Sequence, residues 1–354
     1  MDLASLLETW GDAHVLAAAG ALVGFAFGLA AQRTQFCARA AVIESCEGLL
    51  GGRFAVWWLG FSTCLLGVQA LIFLGGLQPQ TSRFIAPLGS LSGAILGGLF
   101  FGAGMIMTRG CAGRLLILSA SGNLRAVIAG LVFAVTVQAS IAGWLAPLRQ
   151  SLMAGWQIDG GAGRDLLQIT GIGPLGGFVL AALAFASGVH FFFKTHPRRW
   201  ALAVGAITVG LSIAAGWGLT QAIASQSFEA VQIQSISFSS ASAEFLMRLL
   251  STGTAPRFGF DAGLLPATFI GAGVGALFSG EFQWQGFQAD NKLGHYLTGA
   301  LLMGLGAVLA GGCTVGAGMT GGSIFALTAW LTLIAIWLGA CMAWRLHRVM
   351  GWPV

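Results

Sequence analysis

Two stretches decide how this chain folds: GLFFGAGMIMTRGCAGR at 98–114 and ALLMGLGAVLAGGCTVG at 300–316. Each places one glycine nine residues before a cysteine, a second seven before, and a third immediately before: Gly102, Gly104 and Gly110 ahead of Cys111, and Gly304, Gly306 and Gly312 ahead of Cys313. A small-residue turn and a new apolar run follow each cysteine, at Ser121-Gly122-Asn123 and Gly321-Gly322-Ser323. A weaker copy surrounds Cys37, with Gly24 and Gly28 lying 13 and nine residues before it. A fourth fragment, Gly271-Ala272-Gly273-Val274-Gly275, is followed nine residues later by Trp284 where a cysteine is expected. The repeat divides the chain into two related halves. Residues 14–148 hold the units at Cys37 and Cys111, 149–171 connect, and 172–345 hold the units at Trp284 and Cys313.

The surroundings of the repeat are lipid-like. Hydrophobic residues make up 56% of the 354 and charged residues 8%. A soluble domain carries about 25% charged residues, so a soluble enzyme is excluded, and so is a disordered chain. Unbroken apolar runs of about 20 residues exclude a porin-like barrel and match bilayer-spanning helices. Nine such segments run over 14–32, 53–77, 91–108, 123–148, 172–192, 199–223, 263–280, 295–312 and 324–345. Four stretches are too short to cross, at 35–47, 112–121, 282–291 and 314–322, and read as re-entrant half-helices. The predicted class is an all-α polytopic membrane protein with nine transmembrane and four short helices.

Charge gives the orientation. The net charge of +5 sits in connections, as the positive-inside rule requires, and not in a nucleic-acid patch. The cluster Lys194-Thr195-His196-Pro197-Arg198-Arg199 and the tail with Arg345, His347 and Arg348 read as cytoplasmic, and the N-terminus as periplasmic. Residues 224–262, rich in Ser and Gln, read as a periplasmic loop with lid or surface character. Asp2 and Glu8 stand where a signal peptide carries basic residues, and no Walker A motif supports ATP-driven pumping.

The chemistry is expected at the repeated breaks. A broken helix leaves N–H groups of the next short helix pointing inward, which favours an anion, and duplicated broken helices mark transporter substrate sites. No Asp or Glu lies within three residues of Cys37, Cys111 or Cys313, whereas Arg39, Arg109 and Arg114 do. The candidate substrate-binding residues are Cys37, Cys111 and Cys313, then Gly110, Gly312, Gly113, Arg114, Thr314 and Trp284, the last as a plug of the path. Cys46, Cys64 and Cys341 read as small buried hydrophobes. Glu44 and Glu47 read as capping groups or arginine partners. Without a CxxC pair or His at ligand spacing, no metal, redox dithiol or other cofactor is expected.

On the motifs Gly102-x-Gly104-x5-Gly110-Cys111-x-Gly113-Arg114, Gly304-x-Gly306-x5-Gly312-Cys313-Thr314-x-Gly316 and Gln35-Phe36-Cys37, the chain resembles the YeeE/YedE family of bacterial inner-membrane proteins, the sulphur-transport domain family, over about 14–345. The resemblance implies an hourglass of nine transmembrane and four short helices and uptake of thiosulfate. It also implies three essential cysteines along a central path, here Cys37, Cys111 and Cys313, and a separate TusA-like cytoplasmic sulfurtransferase as partner. Thiosulfate is a dianion with a soft terminal sulfur. A neutral thiol is a weak S–H donor and can hold that sulfur without a deep well, whereas a thiolate repels it. Cysteines in apolar surroundings are expected to stay protonated and to relay the ion by hydrogen bonds. The alternatives are transport of another sulfur or selenium species, such as sulfide, polysulfide or selenite, and a membrane sulfurtransferase using a covalent cysteine persulfide.

Overall fold

The computed structural model describes residues 4–227, 231–250, 259–286 and 293–351. Its principal helices are α1 (Asp12–Arg33), α2 (Ala38–Cys46), α3 (Gly52–Phe73), α4 (Leu91–Met107), α5 (Ala112–Ala120) and α6 (Leu124–Ala142), then α7 (Pro174–Thr195), α8 (Trp200–Gln226), α9 (Phe238–Leu250), α10 (Phe260–Phe278), α11 (Leu293–Leu309) and α12 (Leu327–Val349). A π-helix at Thr314–Gly321 joins α11 to α12. Among the described residues nine stretches are long and apolar enough to cross a membrane: α1, α3, α4 with α5, α6, α7, α8, α10, α11 with the π-helix, and α12. The protein is an all-α polytopic membrane protein, as its composition requires. An antiparallel pair of two-residue strands, Gly89–Ser90 with Gln157–Ile158, ties the α3–α4 connection to the long α6–α7 connection.

Glycine determines how the long helices meet. A Cβ on Gly20, Gly24 or Gly28 of α1 would stand 2.0, 2.5 or 2.2 Å from the carbonyl oxygens of Phe260, Leu264 and Thr268 on α10. The same contact recurs between α4 and α12, where a Cβ on Gly102 would lie 2.2 Å from the Ile336 oxygen and one on Gly339 2.4 Å from the Leu99 oxygen. Both pairs run parallel. Small residues one turn apart allow this approach, and lipid gives no hydrophobic drive that would replace it. α11 runs antiparallel to α4, with Gly97 against Gly306 and Gly104 against Gly299.

These directions place both ends of the chain. α12 ends on the face that carries Lys194–Arg199, and α1 starts on the opposite face. Of the described basic residues, only Arg83, Arg149, Arg164 and Arg248 lie toward that opposite face. α2 and α5 end toward the basic face. The π-helix leads to Ala326, bridged to Asp165 toward the other face.

The described part of the stretch expected to hold the fourth short element, 282–291, is not helical. Residues 281–286 form no helix, and 287–292 lie outside the described residues. Gln283 and Gln285 instead donate backbone hydrogen bonds to Ser121 and Gly122 at 3.2 and 3.0 Å, so the segment is spent tying α10 to the α5–α6 turn. The fourth element is α9, inside the stretch read as a periplasmic loop, of which 228–230 and 251–258 are not described. Ser235, Ile236, Ser237, Phe238 and Ala241 are all buried. The polar composition was misleading because the hydroxyls bond inward: Ser235 Oγ donates to Ile213 O at 2.6 Å and Ser242 Oγ to Phe238 O at 2.6 Å.

Cys46 and Cys341, read as small hydrophobes, form a disulfide with a Cα–Cα distance of 5.6 Å, pinning the end of α2 to α12. Their separation of 295 residues hides the pairing from any spacing rule. Cys37, Cys64, Cys111 and Cys313 are free. Alkylation of the denatured, unreduced protein should therefore label these four thiols, and Cys46 and Cys341 only after reduction; mass spectrometry reads both. Gly28→Val should prevent the α1–α10 contact and abolish the monodisperse peak of the detergent-purified protein.

Candidate functional site

Each cysteine-led short helix starts where a long helix is stopped by the same backbone device. The residue two positions before the cysteine is left-handed: Gln35 at φ 53°, Arg109 at φ 57° and Gly311 at φ 74°. A left-handed residue past a helix end turns the chain while its last carbonyls stay bonded. Phe36 N donates to Ala31 O at 3.0 Å, and Thr108 Oγ1 to both Gly104 O and Gly110 O at 2.8 Å. The turn is thus made one residue earlier than Gly110 and Gly312.

Those two glycines are unequal in the structure. A Cβ on Gly312 would stand 2.5 Å from the Ala317 backbone nitrogen, whereas one on Gly110 would meet only the Arg114 and Leu115 side chains at 3.5 Å. Gly113 and Gly316 serve contacts between units. A Cβ on Gly113 would touch the Phe238 ring at 3.0 Å, and one on Gly316 would lie 2.5 Å from Ser237 Oγ. The first turns of α5, α9 and the π-helix therefore meet at the centre of the molecule.

Cys37, Cys111 and Cys313 occupy the N-cap positions of α2, α5 and the π-helix, and Ser237 stands ahead of α9 in the fourth place. Gly316 N donates to Cys313 Sγ at 3.3 Å. Cys111 and Cys313 are buried, and Cys37 is half-buried. Cys111 has both Cys37 and Cys313 within electrostatic reach. Beside Cys111 lies a cavity of about 10 Å³, lined by Phe36, Cys111, Gly113, Arg114, Thr314 and Met319 among others. That is about the space one water molecule needs. The Thr314 side chain is buried beside Cys111 and interacts with its thiol.

Arginines flank the cysteines on both sides. Toward the basic face, Arg114 Nη2 donates to Gln35 Oε1 while its Nη1 is buried without a partner. Gln35 Nε2 in turn donates to Glu281 Oε2 at 3.0 Å. Arg39 interacts electrostatically with Cys37 and Arg109, and its Nε is buried without a partner. Toward the other face Arg83 lies within electrostatic reach of Cys313 and Asp261, with Nε and Nη2 both buried and unpartnered. Burial pushes the Arg83 guanidinium down from its ordinary pKa, and Asp261 opposes that shift.

Trp284 is not part of this site. It is 76% exposed and packs against Phe282, because its segment is held at the α5–α6 turn. Sequence reading missed Ser237, Phe238 and Arg83. A serine immediately ahead of the helical stretch Phe238–Leu250 was the available signal for the first two. Arg83 lies in a connection, and nothing in its sequence neighbourhood points to Cys313. Among the described residues no group of three or more His, Cys, Asp or Glu is placed to hold a metal ion.

Nine helical stretches long and apolar enough to cross a membrane among the described residues, and short helices whose first turns meet at the centre, define a polytopic membrane protein. The chain belongs to the sulphur transport family, whose model matches residues 33–342. It is similar to the thiosulfate transporter TsuA of Spirochaeta thermophila, 29% identical over 348 residues that cover 93% of this chain and 98% of the relative. It is also similar to the thiosulfate transporter TsuA of Escherichia coli, 24% identical over 344 residues that cover 92% and 91%.

The inequality of the two motif glycines is directly testable. Gly312→Ala should destabilise the protein by about 1–3 kcal/mol through overpacking, while Gly110→Ala should leave its thermal unfolding in detergent unchanged.

Proposed function

We propose that this protein carries thiosulfate across a bacterial inner membrane, passing the ion along Cys313, Cys111 and Cys37. The observation that carries the reading is the set of three free thiols at the N-termini of short helices, with Cys111 within electrostatic reach of the other two. The similarity to two thiosulfate transporters along almost the whole chain supports the substrate.

The physical scheme follows from the donors available. Arg83 draws the dianion to the opposite-face mouth, and the S–H of Cys313 takes its terminal sulfur. The hydroxyls of Ser237 and Thr314 and the N–H groups at the short-helix starts hold the oxyanion end. Cys111 receives the sulfur next, then Cys37, where Arg39 and Arg114 provide the exit field. Each step exchanges one weak bond for another, which suits conduction better than a single deep site. The cavity must widen for passage, and the four short segments, each backed by its own turn, are the elements that would shift. The dense basic face supports a cytoplasmic C-terminus and a periplasmic N-terminus. A separate TusA-like sulfurtransferase at that cytoplasmic face would take the sulfur onward.

The decisive experiment is growth of a bacterium lacking sulfate uptake, with thiosulfate as sole sulfur source, while membrane expression is monitored. Wild type and Cys64→Ser should rescue; Cys111→Ala and Cys313→Ala should fall to the empty-vector level, with Cys37→Ala intermediate or equal to them. Equal rescue by all three alanine variants would sink the relay. Absence of rescue by well-expressed wild type would move the substrate to sulfide, polysulfide or selenite. Within the same assay, Ser237→Cys should retain uptake and Ser237→Ala should lower it.

A further inference from the structure

Away from the central path, the outer surface between α1 and α8 holds an open cavity of about 860 Å³. Its long wall is apolar, with Phe25 and Leu29 from α1 and Leu202 and Val204 from α8. Phe25 is 38% and Val204 60% exposed, on helices that face the bilayer. Its end at the basic face is lined by Arg33, Arg198 and Arg199. All three are exposed, and none makes an ion pair or a side-chain hydrogen bond among the described residues. Arg198 is left-handed at φ 63°, so the connection between α7 and α8 turns tightly there and keeps Arg198 and Arg199 at the mouth of the groove. Trp200, 66% exposed and packed on Phe193 with ring centroids 4.5 Å apart, lies beside them. Tryptophan in that setting marks the headgroup level of a bilayer.

The two ends of the cavity ask for different chemistry in one ligand. Three unpaired guanidinium groups ask for a concentrated negative charge, and arginine suits a phosphate because it offers paired N–H donors. The apolar wall extends from Arg33 back to Phe25, ~12 Å along a helix at 1.5 Å per residue, and asks for a hydrocarbon chain. A free inorganic anion has no use for that wall, and a neutral or zwitterionic lipid has little use for the arginines. We propose that this groove binds an anionic phospholipid, its phosphate among Arg33, Arg198 and Arg199 and one acyl chain along Phe25, Leu29 and Val204. Basic pockets between transmembrane helices at a cytoplasmic boundary recognise anionic headgroups in this way. The site is independent of the transport reading. It does touch the path, because α1 continues through Arg33 and Thr34 into the left-handed Gln35 and Cys37.

Native mass spectrometry of the detergent-purified full chain tests it, with phosphatidylglycerol and phosphatidylethanolamine of identical acyl chains added in turn. Wild type should retain one phosphatidylglycerol per chain in preference to phosphatidylethanolamine. Each of Arg33→Ala, Arg198→Ala and Arg199→Ala should weaken retention about fivefold, and the triple variant should lose it. Arg53→Ala, an exposed arginine on the same face but outside the groove, should bind as wild type does. The single variants change one exposed side chain each and report even if the triple variant misfolds. Equal retention of the two lipids overturns the proposal, as does undiminished retention in the groove variants. Displacement of phosphatidylglycerol by millimolar inorganic phosphate would show a free-anion site instead and overturns it equally.

Discussion

The carbonyl oxygens of Phe260, Leu264 and Thr268 occupy the places where side chains at Gly20, Gly24 and Gly28 would otherwise be. Everything central to the protein depends on this backbone-to-glycine contact and on its counterpart between α4 and α12. In lipid, helices gain nothing by hiding apolar surface from one another, so close packing must supply the association. Two parallel pairs packed this tightly form a rigid frame. The frame tolerates four interruptions of the bilayer-spanning structure, each of which would be costly if exposed to hydrocarbon.

The interruptions are arranged so that their polar groups are answered inside the protein. Left-handed residues at Gln35, Arg109 and Gly311 stop the long helices with their carbonyls bonded. The short helices that follow bring Cys37, Cys111 and Cys313 inward. Hydroxyls of Ser235, Ser242 and Thr320 return to nearby carbonyls. Buried nitrogens left without a partner include those of Arg39, Arg83 and Arg114 near the thiols and, elsewhere in the molecule, Arg149 Nε, Arg164 Nε and Trp344 Nε1.

The α2 segment is held more firmly than the other short helices. It carries Cys37 at its start and the disulfide to Cys341 at its end. Arg348 of α12 also reaches Glu47 just beyond it at 3.7 Å. α2 is thereby coupled covalently to α12, whereas α5, α9 and the π-helix are held by packing and hydrogen bonds among the described residues. Shifts that widen the centre are therefore expected in these three before α2.

By itself the sequence determined the membrane class, the apolar stretches long enough to cross and the basic connections, and it singled out Cys37, Cys111 and Cys313 as candidates. All of these follow from local quantities: run length, charge position and a residue pattern repeated at constant spacing. Trp284 was placed in the site by extending that spacing to a copy where the pattern had decayed, and the fold put Ser237 there instead. Residues 231–250 looked external because their hydroxyls are polar, but Ser235 Oγ bonds the Ile213 carbonyl, Ser242 Oγ the carbonyl one turn back in its own helix, and Thr320 the Ile236 carbonyl. The pairing of Cys46 with Cys341, the approach of Arg83 to Cys313 and the convergence of Arg33 with Arg198 and Arg199 share the same reason. Each joins residues far apart in the chain, and a contact at that range is decided by how the helices pack, which no local pattern records.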